Sequence, residues 1–478
     1  MPSFQDKIEA LCRRVEGNNV WRQKESFNLI PSESTPSLLV KMCEISDPAG
    51  RYAEHRTMKG EEVYFYQGID FIRDVEIEAQ RELARFFECT DVELRPISGQ
   101  MANEVVFKGM VKFLNRGKAE GRPSRRMSLV MNNDLNKGGH LSAQPMGALF
   151  NWIEEDPATG KENVVHFPVR KDNPYKTDVD ALAGVLEKNR PELVVFGKSM
   201  FISPEPVKAV ADIVRGWPKK PVLMFDMAHV LGLYGAFQEP FKDGVDIVTG
   251  STHKTFFGPQ RGLIAGHIAK DNPLRPLWTD IRTRAFPGST SNHHLGTLVG
   301  LLLAAYEMNE FKGPFQAAVR ANAKSFAKSL AAYGLPVEGD PAENYTETHQ
   351  VLVRVKAFGP GMAIARRLEE NNIVVNFQAL PDDETFLDSS GLRIGVQEMT
   401  RFGMAARDFD RLAGYIADCV IRNKPVKAEV AAFRKNFLEM GYCLDGGRAI
   451  PLAARILASA VPQAGFAAKF AANLEKLA

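Results

Sequence analysis

Apolar and polar positions alternate in blocks between residues 75 and 270, and this pattern predicts a sheet covered by helices on both faces. Stretches with helical spacing at 74–87, 103–114, 178–189 and 206–215 are separated by short β-branched runs. These runs are 163–169, 192–197, 222–226, 246–250 and 262–268. Continuous apolar strands that alternate with helices are typical of a mostly parallel sheet. We therefore expect an α/β fold that binds its ligands at the carboxyl ends of the strands.

The pattern predicts three parts of the chain. Ile8, Leu11 and Val15 fall on one helical face and predict a helical arm over 1–30. A large parallel-sheet domain over 31–311 and a smaller C-terminal α/β domain with a helical tail over 312–478 follow it. One helix is predicted just before the boundary at 311/312, at 295–311. The elements predicted after this boundary are helices at 315–333, 361–371 and 406–422, strands near 351–355 and 373–376, and the helical tail from 424.

Composition and charge restrict the class of protein. The 478 residues include 60 Lys and Arg against 58 Asp and Glu, so a net charge of +2 offers no broad field for nucleic acid or a membrane surface. Five scattered cysteines without a CxxC pair argue against a metal site or a disulfide framework. There is no signal-peptide pattern, and the longest apolar stretch, 295–306, is too short for a bilayer. We expect a soluble, cytoplasmic protein.

Two polar side chains at predicted strand ends suggest carbonyl chemistry. Lys254 lies in the polar turn STHKT, where a buried lysine can lose its proton and form a Schiff base. Asp226 follows an apolar run and needs a cationic partner there, such as a protonated pyridine nitrogen. Taken alone, a surface lysine and an arginine-paired or helix-capping aspartate account for the same patterns. His229, three residues after Asp226, is in isolation as well explained by a structural role.

Three further segments fit recognition of a phosphate, a flat ring and a carboxylate. Ser98, Gly99 and Gln100 open a predicted helix whose N–H groups favour a phosphate, although any N-cap looks similar. His140 follows two glycines and either stacks on a ring or is exposed in a turn. Arg393, in GLRIG, suits a carboxylate through two parallel hydrogen bonds or a structural salt bridge.

Together these segments resemble the serine hydroxymethyltransferase family, pyridoxal-phosphate enzymes of fold type I. DMAH, THKT followed by GP, GGHL and SGLRIG occur in the family's order, and the likeness extends from NLIPSES at 28–34 to TRFGM at 400–404. The resemblance implies the PLP-dependent transferase fold type I, with a large mostly parallel-sheet domain, a smaller C-terminal α/β domain and an N-terminal helical arm. It also implies pyridoxal 5'-phosphate as cofactor and tetrahydrofolate as co-substrate.

The resemblance assigns a role to each matching cofactor residue. Lys254 would form the Schiff base with the cofactor, Asp226 would pair with the pyridine nitrogen, and His229 would lie near the ring oxygen. His140 would stack on the ring. The other cofactor contacts implied by the likeness are Ser98, Gly99, Gln100, Ser199 and His253.

Substrate binding and proton transfer are implied in the same way. Arg393 would take the carboxylate of an amino-acid substrate, with help from Ser32. Tyr52 would contact the phosphate, Glu54 would transfer protons, and Tyr66 resembles a second active-site tyrosine. In the family these three residues reach into the neighbouring subunit's site. The resemblance therefore implies a homodimer with shared active sites, or a tetramer built from such dimers.

The sequence departs from the family at positions linked to folate, so the second substrate stays open. The loop 55–68 is longer than the family's and lacks its proline, and Gln378 stands where an asparagine contacts the pterin. The leading hypothesis is reversible Cα–Cβ cleavage with transfer of a one-carbon unit between serine, glycine and tetrahydrofolate. The alternatives are an L-threonine transaldolase or a β-hydroxy amino acid aldolase, an α-methylserine hydroxymethyltransferase, and a non-catalytic pyridoxal-phosphate protein.

Overall fold

The computed structural model describes residues 1–119 and 121–476 and contains a central sheet of seven strands. The strands in chain order are β1 (Phe27–Asn28), β2 (His55–Met58), β3 (Glu61–Tyr64), β4 (Asp91–Glu93), β5 (Val130–Asn132), β6 (Val164–His166), β7 (Leu193–Phe196), β8 (Val222–Asp226), β9 (Ile247–Ser251), β10 (Gly262–Gly266), β11 (Gln350–Arg354), β12 (Ile373–Val374), β13 (Asn376–Gln378) and β14 (Gly391–Gly395).

The central sheet has the order β4-β10-β9-β8-β7-β5-β6. All pairs from β9 to β6 are parallel, whereas β10 runs antiparallel to both of its neighbours. A smaller antiparallel sheet, β11-β14-β13, is built from the C-terminal part of the chain. The predicted α/β class with a mostly parallel sheet is confirmed. The short strands β4 and β5 were not predicted, because three-residue strands carry too little periodicity.

Helices cover both faces of the central sheet. In β8, Leu223 and Phe225 point into one apolar core, while Val222 and Met224 point into the other. The helices in chain order are α1 (Phe4–Val20), α2 (Leu38–Glu44), α3 (Asp70–Phe87), α4 (Gly99–Leu114), α5 (Val179–Asn189), α6 (Val207–Val214), α7 (Pro240–Asp243), α8 (Arg275–Ala285), α9 (Leu295–Ala332), α10 (Gly361–Glu370), α11 (Gln397–Arg401), α12 (Ala406–Val420), α13 (Lys427–Arg434), α14 (Gly446–Ala460) and α15 (Phe466–Leu474). Within the described ranges, no helix combines the length and apolarity that a membrane crossing requires.

The two helices predicted at 295–311 and 315–333 are one helix, α9. Pro314 lies inside it and lacks a backbone N–H, so one helical hydrogen bond is missing near the predicted gap. Met308 before Pro314 and Phe315 after it are both buried, and this packing stabilises the continuous helix. The predicted division at 311/312 falls within this helix and stays a prediction, as does the division at 30.

The predicted arm is helical but its apolar face is uncovered. Ile8, Leu11 and Val15 of α1 are 46%, 59% and 52% exposed. The helix begins with a capping box in which Ser3 and Asp6 exchange side-chain and backbone hydrogen bonds. After it, β1 pairs in parallel with β12, so this part of the chain is joined to the C-terminal elements.

Candidate active site

Lys254 is buried in the turn that follows β9. Its Nζ donates a hydrogen bond to Ser251 Oγ at 3.2 Å. Burial lowers the pKa of Lys254 to about 8; the Asp226 carboxylate opposes this shift and the Arg393 guanidinium adds to it. A lysine amine is a nucleophile only when neutral, so this environment prepares it to attack a carbonyl carbon.

The amino end of α4 lies directly against this turn. Ser98 is the N-cap, and its Oγ accepts a hydrogen bond from the Met101 N–H at 3.1 Å. A Cβ on Gly99 would lie 2.2 Å from Ser251 Oγ, so a side chain there would force the Ser251 hydroxyl to move. Gln100 is exposed in the first turn of the helix. The first N–H groups of α4 therefore present an anion site beside Lys254.

Asp226 is a buried carboxylate at the end of β8. Its Oδ2 is hydrogen-bonded by His140 Nδ1 and by Asn103 Nδ2, the latter at 2.7 Å, and its Oδ1 accepts from the Ala228 N–H at 3.0 Å. Burial alone would raise the pKa of Asp226, but the His140 imidazole, Asn103 and the Ala228 N–H together lower it. The carboxylate stays ionised and is able to stabilise a cationic ring nitrogen.

Asn103 was not predicted as a site residue. Its amide is oriented by Thr249, whose hydroxyl donates to Asn103 Oδ1 at 2.5 Å, and this turns the amide N–H groups toward Asp226. The signal available in the sequence was an asparagine on the otherwise apolar face of a predicted helix, and the structure shows that it is fully buried.

Two histidines lie beside Asp226 with their rings at right angles. The His140 and His229 ring centroids are 5.4 Å apart, with an interplanar angle of 86°. Burial, together with the charges of Lys254 and Arg393, keeps the pKa of His229 well below its usual range, so the ring is neutral. Among the described residues its buried Nδ1 has no hydrogen-bond partner, and the same holds for His253 Nδ1.

Arg393 is a buried cation in β14. Its Nη1 donates to the Ser199 carbonyl oxygen at 2.8 Å and its Nε to Asn376 Oδ1 at 3.3 Å. These partners are neutral, and within the described ranges no carboxylate forms an ion pair with it. Burial lowers the pKa of Arg393 to about 10. A carboxylate ligand would supply the missing counter-charge.

Ser32 lines a groove over Lys254. The groove has a volume of about 650 Å³, and His253, Lys254 and Glu398 also line it. The structure thus brings Ser32 and Lys254 to one opening of the site.

The remaining predicted residues form a second group. Tyr52 and Tyr66 have ring centroids 5.4 Å apart and line a separate cavity of about 670 Å³ that Lys254 does not line. Desolvation and the neighbouring Glu54 carboxylate raise the pKa of Tyr66. Within one chain, Tyr52, Glu54 and Tyr66 are therefore near one another, and their assigned roles at the cofactor stay predictions.

The donors around Lys254 suit pyridoxal 5'-phosphate. The amine of Lys254 matches its aldehyde, the carboxylate of Asp226 matches its ring nitrogen, and the amino end of α4 matches its phosphate. The unpartnered Nδ1 of His229 leaves a buried polar atom for a ring substituent. A mostly parallel sheet with these groups at its carboxyl edge defines an α/β enzyme of the pyridoxal-phosphate fold type I class.

Comparisons with known proteins agree with this class. A family model described as serine hydroxymethyltransferase matches residues 7–416. The serine hydroxymethyltransferase of Staphylothermus marinus is 38% identical over 444 residues, which cover 91% of this chain and 93% of that protein. That of Pyrobaculum aerophilum is 37% identical over 440 residues, covering 91% and 94%. The chain therefore belongs to the serine hydroxymethyltransferase family and is a pyridoxal-phosphate-dependent enzyme.

A solved structure supports the fold. The crystal structure of L-threonine transaldolase from Pseudomonas fluorescens matches with a TM-score of 0.78 and 24% identity, covering 94% of this chain and 97% of that one. At this identity the likeness concerns the fold alone. The predicted family and fold class are both confirmed.

Proposed function

We propose that the protein catalyses reversible cleavage of the Cα–Cβ bond of serine, gives glycine, and transfers the one-carbon unit to tetrahydrofolate. The observation that carries this proposal is the buried Lys254, whose pKa is lowered to about 8 beside the ionised Asp226 in a chain of this family. When bound, pyridoxal phosphate supplies an electron sink for the charge that develops at the substrate Cα.

The protein's own groups would bind and orient the amino acid. Arg393 holds the substrate carboxylate through its guanidinium, with Ser32 at the mouth of the groove. Asp226 keeps a proton on the ring nitrogen, and His140 and Asn103 hold this carboxylate in place. Lys254 supplies the amine that binds the cofactor.

Proton transfer at the substrate hydroxyl is assigned to Glu54. A carboxylate next to a tyrosine hydroxyl is able to accept the proton of the β-hydroxyl as the Cα–Cβ bond breaks and to return it in the reverse direction. Tyr52 and Tyr66 complete this group. Because Tyr52 and Tyr66 line a different cavity from Lys254, we propose that these tyrosines and Glu54 complete the site of a second subunit in a homodimer.

Tetrahydrofolate is proposed as the second substrate because apolar side chains flank the His140 turn. Leu135 and Leu141 are 36% and 49% exposed on either side of Gly139 and His140, and they offer an apolar surface to a flat pterin ring. Gln378, half-buried in β13, stands at the position expected to meet that ring.

An L-threonine transaldolase activity is the second candidate. The hairpin β2–β3 takes the place of the family's proline-containing loop directly after Glu54, and this change favours a different second substrate. Such an enzyme would take glycine from threonine and add it to another aldehyde without folate.

Addition of glycine and then tetrahydrofolate to the holoenzyme separates the two candidates. Under the leading proposal, folate strongly increases a long-wavelength absorption band, and serine is consumed only when folate is present. If folate changes nothing, while threonine alone produces the band and releases acetaldehyde, the second candidate replaces the first.

A cytoplasmic location is also proposed. All five cysteines, among them the buried Cys419, are free thiols in the structure. Free thiols of this kind are typical of a reducing compartment.

A further inference from the structure

The residue after Glu54 begins the hairpin β2–β3, which is formed within the segment 55–68. In β2–β3, His55 lies opposite Tyr64 and Arg56 opposite Val63. The Phe65 N–H donates to the Glu54 carbonyl oxygen at 3.0 Å, so the ladder continues to Glu54 itself. The position of Glu54 is therefore coupled through the backbone to whatever holds the hairpin.

His55 fastens this hairpin to helix α3. Its Nδ1 lies 2.6 Å from Glu62 Oε1 on β3, and its Nε2 lies 3.0 Å from Glu76 Oε2 on α3. The Tyr64 ring stacks on the imidazole at 4.5 Å, and Arg95 Nη1 donates to the His55 carbonyl oxygen at 3.2 Å. The side chains of His55 and Glu76 are both almost fully buried. Each ring nitrogen thus faces a carboxylate from a different element.

Ionised carboxylates only accept hydrogen bonds, so both contacts require an N–H on each ring nitrogen and hence a protonated imidazole. Burial by itself would lower the pKa of His55, but the two carboxylates outweigh it and raise the pKa to about 9. The charged and titratable groups that surround His55 are Glu62 and Tyr64 from β3, Glu76 and Arg73 from α3, Glu93 and Arg95 around β4, Arg282 from α8, and His293.

We propose that His55 is a positioning residue that locks the hairpin β2–β3 onto α3 and thereby places Glu54 for proton transfer. The inference rests on the role of Glu54 in the proposed function. It deepens that role by naming the side chain that holds Glu54 in place. His55 does not touch the substrate; it acts through the backbone of Glu54 and Phe65.

The test compares His55→Ala and His55→Gln with Arg56→Ala, an exposed neighbour on the same strand. We expect His55→Ala to lower kcat by about 100-fold with little change in KM for the amino acid, because Glu54 moves while the substrate site does not. His55→Gln, which keeps one hydrogen bond, should recover part of this loss, and Arg56→Ala should match the wild type. Cofactor absorbance and circular dichroism should stay unchanged in all three variants.

Hydrogen exchange supplies a second readout that does not depend on turnover. In His55→Ala, the peptide that contains Phe65 should exchange faster than in the wild type, while peptides of β8 and β9 stay unchanged. If His55→Ala does not fold, Glu76→Gln, which removes one carboxylate contact, provides the same comparison.

The pH dependence supplies a third readout. As pH rises through about 9, the imidazole loses the proton that both contacts need, so the hairpin should loosen and kcat should fall. This alkaline loss should disappear in His55→Gln. A wild-type kcat and an unchanged Phe65 exchange rate in His55→Ala would overturn the proposal. Glu54→Gln, measured in parallel, isolates the underlying assumption: if it retains full activity, the proton-transfer role of Glu54 fails whatever the His55 variants do.

Discussion

At the scale of single residues, the site contains three buried charged groups, of which only the anion is stabilised on balance by its surroundings. Asp226 is surrounded by hydrogen-bond donors and stays an anion, whereas Lys254 and Arg393 are buried cations that interact unfavourably with each other. Because a buried charge without a partner is costly, Lys254 loses its proton readily and becomes able to react with an aldehyde, whereas Arg393 favours a ligand that brings a carboxylate.

Replacement of Arg393 tests the carboxylate contact. Arg393→Gln should raise KM for serine by about 10- to 100-fold, because a charge-assisted pair of hydrogen bonds is lost. Cofactor binding should be retained, since the hydrogen bonds of Arg393 go to the Ser199 backbone carbonyl oxygen and to Asn376 rather than to Lys254, Asp226 or α4. Steady-state kinetics with a parallel absorption spectrum checks both; an unchanged KM would assign Arg393 a purely structural role.

The lowered pKa of Lys254 predicts how the apoenzyme captures its cofactor. Only the neutral amine attacks an aldehyde, so the rate of reconstitution with pyridoxal phosphate should rise with pH through a midpoint of about 8. Asp226→Asn should shift that midpoint lower, because the carboxylate stabilises the ammonium form. Stopped-flow absorbance across a pH series measures it, and a midpoint near the ordinary lysine pKa would contradict the burial seen here.

At the scale of secondary-structure elements, the site depends on how closely α4 approaches β9. Ser98 caps the helix, and the absence of a side chain at Gly99 brings its first N–H groups against Ser251. Gly262, at the start of β10, also allows the amino end of α4 to lie close to the sheet, because a Cβ on Gly262 would lie 2.1 Å from the Ser98 carbonyl oxygen.

Gly99→Ala tests this packing. The added Cβ would force either the Ser251 hydroxyl to turn away or α4 to shift from β9, so the affinity for pyridoxal phosphate should fall by about 10-fold. Gly17→Ala in α1 is the matched control: no atom lies within 4 Å of the added Cβ, and helical stability should rise slightly. Equilibrium titration of each apoenzyme with the cofactor gives the comparison, and equal affinities would refute the role of this contact.

The elements show what sequence reasoning could and could not reach. Strand β8 was predicted with its observed ends, because four consecutive apolar residues are followed directly by Asp226. Helix α9, in contrast, was predicted as two helices with a gap between residues 311 and 315. Lys254, Asp226 and Arg393 were predicted from motifs with distinctive local chemistry. Asn103 and His55 were missed because their partners, Asp226 and Glu76, are distant along the chain and meet them only in the fold.

At the scale of the whole molecule, the residues predicted to act at the active site form two groups that line different cavities in one chain. Lys254 and Ser32 line one, and Tyr52 and Tyr66 line the other. The uncovered apolar face of α1 adds a surface that a second subunit would bury. The proposed homodimer accounts for both features, because each subunit would complete the other's site.

Subunit mixing tests the shared site. Lys254→Ala and Glu54→Gln should each be inactive alone, but co-expression should restore about a quarter of the wild-type activity, since half of the dimers are mixed and each mixed dimer holds one intact site. The control pair, Lys254→Ala with Asp226→Asn, places both changes in the same group and should restore nothing. Equal activity for the two mixtures would place Glu54 and Lys254 in the same subunit's site.

The most direct test of the central claim is reduction of the purified holoenzyme with borohydride, followed by proteolysis and mass spectrometry. The account predicts a phosphopyridoxyl group on the peptide that contains Lys254 and its loss in Lys254→Ala. An unlabelled protein, or a label on another buried lysine such as Lys198, would contradict it.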